Sequence, residues 1–137
     1  GIVKVFDFGL AKELKEECKI NPDQYRCTIK TGTLRYMSPE VYNGTIYGLP
    51  ADVYSFSIML WELLSLDIPF FGFSTSKFAK KVIVKKHRPI IFRTWPKELR
   101  TLLRLGWSHD PSRRPRMHEI YQTLGSYLTE VDELDRK

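Results

Sequence analysis

Between residues 51 and 65 the chain reads Ala-Asp-Val-Tyr-Ser-Phe-Ser-Ile-Met-Leu-Trp-Glu-Leu-Leu-Ser, which puts apolar side chains on nearly every face of a helix. A helix with one apolar stripe lies on a surface, whereas one that is apolar all round needs neighbours on several sides. The run therefore predicts a helix at the centre of a core, and the rest of the chain has to wrap it. Ser57 and Glu62 interrupt the run, and it falls short of the ~20 apolar residues that span a bilayer, so no membrane segment is expected. With 137 residues, 42% of them hydrophobic, there is material for one globular unit and not for two.

The flanking sequence predicts four further helices. Pro39 suits a first helical turn that stops by Gly44. Residues 76–85 carry Phe78, Val82 and Ile83 on one side and lysines on the other, and Arg88-Pro89 ends that amphipathic pattern. Pro96 opens a segment with Leu99, Leu102, Leu103 and Trp107 at helical spacing. After the charged link 110–114, Pro115 begins a last helix with Met117, Ile120, Leu124, Leu128 and Val131 on one stripe, followed by an acidic tail. At the other end, residues 2–6 alternate apolar and basic side chains in a β-like manner and lead to Asp7-Phe8-Gly9. Residues 10–37 are polar and without periodicity, the pattern of a long functional loop. The expected architecture is mainly α, with about five helices, one short strand and a long loop.

Composition removes several function classes. A net charge of +6 suggests nucleic acid as a partner, but the densest cluster, Lys77, Lys80, Lys81, Lys85, Lys86, His87 and Arg88, has the spacing of a solvated helix face and lacks interleaved aromatics that would stack on bases. No nucleic-acid partner is expected. Cys18 and Cys27 stand apart from one another and from His87, His109 and His118, which gives neither a zinc site nor a disulfide framework and fits free thiols in the cytoplasm. Asn43-Gly44-Thr45 has the form of a glycosylation acceptor and reads as a turn.

Four motifs in order carry the chemistry. Asp7-Phe8-Gly9 follows the strand-like segment, where an aspartate could hold a hard cation against nucleotide phosphates. Gly32-Thr33-Leu34-Arg35-Tyr36-Met37-Ser38-Pro39-Glu40 comes next, then the run through Asp52 and Trp61, then Asp110-Pro111-Ser112-Arg113-Arg114-Pro115. From about Val3 to Leu128 this series resembles the C-terminal lobe of the protein-kinase fold, from the magnesium-binding motif through the activation segment to the last helix. Within the family it is most similar to the tyrosine-kinase-like group of Ser/Thr kinases. Ser38 replaces the usual Ala, Ser57 stands where that group commonly has Gly, and Gly106 stands where Cys is common.

The resemblance implies a partial kinase domain over residues 1–128, with residues 129–137 as a charged tail. Asp7 would bind the Mg2+ that bridges the phosphates of ATP, Phe8 would pack inward to set the pose of that Asp, and Gly9 would act as hinge. Thr33 matches the threonine whose hydroxyl meets the catalytic loop in Ser/Thr kinases. Glu40 and Arg114 match a buried structural ion pair, and Asp52 matches the acceptor of hydrogen bonds from the catalytic-loop backbone. Thr28 and Thr31 are candidate phosphorylation sites, with Tyr25 also open, and Arg35 and Tyr36 would shape the groove for a peptide substrate.

A kinase also needs a Gly-rich loop, a strand lysine and a catalytic-loop Asp and Asn, and none of these patterns occurs in the 137 residues. The expectation is a piece of a cytoplasmic, ATP-dependent protein kinase acting on Ser/Thr of protein substrates. Alone it would be inactive, and its first partner would be the N-terminal part of its own domain. A pseudokinase or scaffold is the alternative. The faces of Phe8, Val53 and Trp61 are expected to lack neighbours in the isolated chain.

Overall fold

The computed structural model describes residues 2, 4–22, 24–25, 32–44 and 46–135. Among the described residues five α-helices dominate: α1 (Pro39–Asn43), α2 (Pro50–Ser65), α3 (Thr75–Phe78), α4 (Lys97–Gly106) and α5 (Met117–Asp135). Two short strands, β1 (Lys19–Asn21) and β2 (Gln24–Tyr25), pair antiparallel. The mainly helical class expected from the sequence holds, and no described helix is long and apolar enough to cross a membrane.

The strand is not where the alternation placed it. Residues 4–8 are irregular and exposed, because a strand exists only through its pairing and no described segment lies beside them. The hairpin forms instead inside the polar stretch read as loop, and Tyr25 bridges to Tyr47, whose backbone N–H and C=O pair with those of Tyr25 at 3.3 and 2.9 Å.

Helix α2 lies at the centre, with Ala51, Val53, Tyr54, Ser57, Ile58 and Trp61 buried. Tyr54, Ile58 and Trp61 pack with Leu103 and Trp107 of α4 and its C-terminal end, while Val53 packs with Leu102 and Ile120. Each large side chain fully buried in this way contributes ~1.5–3 kcal/mol. Burial is nonetheless one-sided: Met59 and Leu63 of α2 are exposed, so the all-round apolar pattern overstates what these neighbours cover. The stripe on α5 is likewise only partly used, since Ile120 is buried whereas Met117 and Leu128 are exposed.

The basic helix is also altered. Ser74 Oγ accepts the Lys77 N–H at 3.2 Å and starts α3, but from Ala79 to Val84 the backbone widens into a π-turn, closed by Lys85 N–H donating to Lys80 C=O at 3.2 Å. Three successive β-branched residues, Val82-Ile83-Val84, crowd the preceding turn of an α-helix, and Arg88 Nη1 donates to the Val82 carbonyl at 3.1 Å. Both favour the looser winding.

Candidate functional site

The second motif is built around Gly32, whose φ of 111° lies in a region that L side chains rarely enter. It is followed by exposed Thr33 and by a 3-10 turn, Leu34–Tyr36. Two side-chain bonds fasten that turn to α2. Ser55 Oγ donates to the Tyr36 carbonyl at 2.8 Å, and the Tyr36 hydroxyl donates to Glu62 Oε2 at 2.6 Å. The bond to the Glu62 carboxylate, aided by burial, raises the Tyr36 pKa above the usual phenol value. Thr33 therefore sits at the edge of a fixed platform, its hydroxyl free of any cap bond.

The end of the platform is held by the link between α4 and α5. Arg114 Nη1 donates to Glu40 Oε1 at 2.6 Å and Nη2 to Oε2 at 2.9 Å, a two-pronged ion pair whose arginine side chain is fully buried. Two further donors are used: Nη1 reaches the Pro50 carbonyl at 2.8 Å and Nε the Ser108 carbonyl at 2.9 Å. A buried charge is tolerated when paired and fully hydrogen-bonded, and this one ties α1, the start of α2 and the α4–α5 link at one point. Arg114 and Arg88 both approach the ring of Tyr54, at 5.2 and 5.0 Å. Burial pushes the Tyr54 phenol up to about 12.

Asp7 and Asp52 are placed differently. Asp7 adopts φ 62° and its Oδ1 accepts the Gly9 N–H at 3.4 Å, which makes a small local turn. Phe8, expected to pack inward, is 69% exposed, because no described apolar surface lies within its reach. Asp52 stands in the first turn of α2; desolvation raises its carboxyl pKa, and among the described residues its side chain receives no hydrogen bond. No hydrogen bond or ion pair among the described residues joins Asp7 to Thr33, Glu40 or Asp52, so the structure brings Glu40 and Arg114 together and leaves the first motif apart from the platform. Thr28 and Thr31 lie outside the described residues.

Sequence reasoning missed the Tyr36–Glu62 bond and the role of Ser55. The available signal was Glu62 itself, a carboxylate within an apolar helix, which needs a donor when it is drawn inward.

A family model described as protein tyrosine and serine/threonine kinase matches residues 1–124. The chain is 36% identical over 135 residues to serine/threonine-protein kinase STY17 of Arabidopsis thaliana, covering 98% of this chain and 22% of that protein. It is 40% identical over 121 residues to dual specificity protein kinase shkB of Dictyostelium discoideum, covering 87% and 18%. Against serine/threonine-protein kinase TNNI3K of Mus musculus the identity is 35% over 133 residues, covering 96% and 15%. The chain thus spans about a fifth of the length of these relatives.

Proposed function

The chain belongs to the protein tyrosine and serine/threonine kinase family, and we propose that the protein carrying it transfers the γ-phosphate of ATP to Ser or Thr hydroxyls of protein substrates. The observation that carries this reading is the platform 32–40, fastened to α2 through Tyr36 and Ser55 and anchored by the two-pronged Glu40–Arg114 pair. Such a rigid surface is what positioning an acceptor hydroxyl requires, since most of the catalysis of phosphoryl transfer is placement and charge stabilisation.

In this reading Thr33 presents its hydroxyl to the catalytic loop, and Arg35 and Tyr36 line the path of the peptide. Asp52 holds the backbone of that loop, which supplies the donors its carboxylate lacks here. The family as a whole uses ATP and magnesium. Among the described residues no three His, Cys, Asp or Glu side chains converge as a metal-binding group. Magnesium held between phosphates and one or two carboxylates, with waters completing its shell, does not need such a group. Asp7 is exposed and fits as the single carboxylate from this chain. When bound, the ion neutralises charge on the phosphates. Phe8 and Gly9 set the pose of Asp7, and a cytoplasmic location completes the reading.

The test is phosphorylation of a generic Ser/Thr protein substrate by the whole protein. Asp7→Asn is expected to abolish transfer while leaving the fold intact. Unchanged activity in that variant, or transfer confined to tyrosine, contradicts the proposal.

A further inference from the structure

Lys86, Arg88, Arg104 and Arg113 surround a cavity of about 360 Å³, formed where the chain leaves the π-turn and meets the last turn of α4 and the link to α5. Lys86, Arg104 and Arg113 have no ion-pair or hydrogen-bond partner among the described residues. Arg88 is fixed in place by its own backbone contacts, Nε donating to the Trp107 carbonyl at 2.9 Å and Nη1 to the His87 and Val82 carbonyls at 2.8 and 3.1 Å. Its Nη2 has no hydrogen-bond partner among the described residues. The carboxylate at the rim, Asp110, is turned onto Ser112, accepting from its hydroxyl at 2.7 Å and its N–H at 3.0 Å.

His109 lines the same cavity, with its Nδ1 buried away from solvent and without a hydrogen-bond partner among the described residues. Lys86 takes φ 56°, the left-handed cap that ends the preceding turn, with the His87 N–H closing onto the Lys81 carbonyl at 2.9 Å. Burial, together with the cations of Arg88 and Lys86, holds the His109 pKa below its ordinary value.

We propose that this basin is an anion site that receives a phosphate group. Four cations face one carboxylate, Asp110, around this cavity, a surplus of positive charge that attracts an anion, and the planar guanidinium forks of Arg104 and Arg113 match the oxygens of a phosphate. A dianion answers this surplus of positive charge better than a single carboxylate ligand does, and His109, which lines the same cavity, reports its arrival. The site shares no residue with Asp7–Gly9 or with the platform 32–40, so it is separate from the nucleotide of the proposed kinase reaction and does not depend on that reading.

The experiment is calorimetric titration of the chain with pyrophosphate and with O-phospho-L-serine at constant ionic strength, with the His109 imidazole followed by NMR. The expected result is saturable binding, an upward shift of the His109 titration in the bound state, and at least about tenfold weaker binding in Arg104→Gln/Arg113→Gln. Both arginines are exposed, so the double variant keeps its fold, which circular dichroism checks, and Arg104→Gln alone gives a second reading. Comparable binding of both probes identifies a phosphorylated side chain as a sufficient source, and binding of pyrophosphate alone identifies a free polyphosphate. Absence of saturable binding, an unmoved His109 titration at saturation, or equal affinity in the variants overturns the proposal.

Discussion

Arg114 is the residue whose loss should cost the most. Truncating it removes both prongs of the bond to Glu40 and frees the carbonyls of Pro50 and Ser108. Arg114→Ala is expected to lower unfolding free energy by ~3–5 kcal/mol, measured by urea denaturation. A loss near that of an exposed pair, ~0–1 kcal/mol, would contradict the burial argument. A second prediction concerns Ser57 and Gly106. A Cβ placed on Gly106 would stand 2.0 Å from Ser57 Oγ and 3.1 Å from its Cβ, so α2 and α4 touch at a point with room for one side chain. The kinase pattern commonly has Gly at the first position and Cys at the second; here the side chain sits on the opposite helix. Gly106→Cys is expected to destabilise by ~1–3 kcal/mol, and adding Ser57→Gly should recover most of it. Four-variant denaturation giving additive effects would contradict the coupling. Each departure from the pattern was readable in sequence, but their pairing was not, because it depends on how α4 crosses α2.

At the scale of elements, the helices were legible because Pro39, Pro96, Pro115 and the spacing of apolar residues mark them locally. What the sequence did not reveal depends on partners. The strand expected over residues 2–6 needs a neighbour, the hairpin of β1 and β2 is set by pairing, and the π-turn after α3 reflects Arg88 reaching back to Val82. The exit of α2 carries a testable strain. Leu66 ends the helix at φ 55°, ψ 27° with its side chain 92% exposed, a conformation that costs an L-residue ~1–2 kcal/mol and that glycine adopts freely. Leu66→Gly should raise the melting temperature, with a net gain of ~0.5–1 kcal/mol after the extra freedom of glycine in the unfolded chain is subtracted. A lower melting temperature would show that the left-handed cap is not strained.

For the whole molecule, Val53 and Trp61 are covered, contrary to the expectation that their faces lack neighbours, whereas Phe8, Leu63 and Leu128 remain exposed. Phe8 could be singled out in sequence, but the uncovered side of α2 could not, because a helix apolar all round does not say which face meets this chain. The pH dependence of stability also belongs at this scale. The His109 pKa is lowered on folding, so its contribution is present above the unfolded value near ~6.5 and is lost as pH falls through the folded value. Thermal melts from pH 7.5 to 5 should show a loss that is smaller in His109→Gln, and an equal loss in both would remove His109 as the cause. The kinase reading itself rests on Asp7 and on a platform whose geometry does not include it. Its most direct test compares ATP-dependent Ser/Thr phosphorylation by the whole protein with that of Asp7→Asn. Transfer by the unmodified protein, abolished in the variant at unchanged stability, is the predicted result. A folded protein that transfers no phosphate, or a variant as active as its parent, would contradict it.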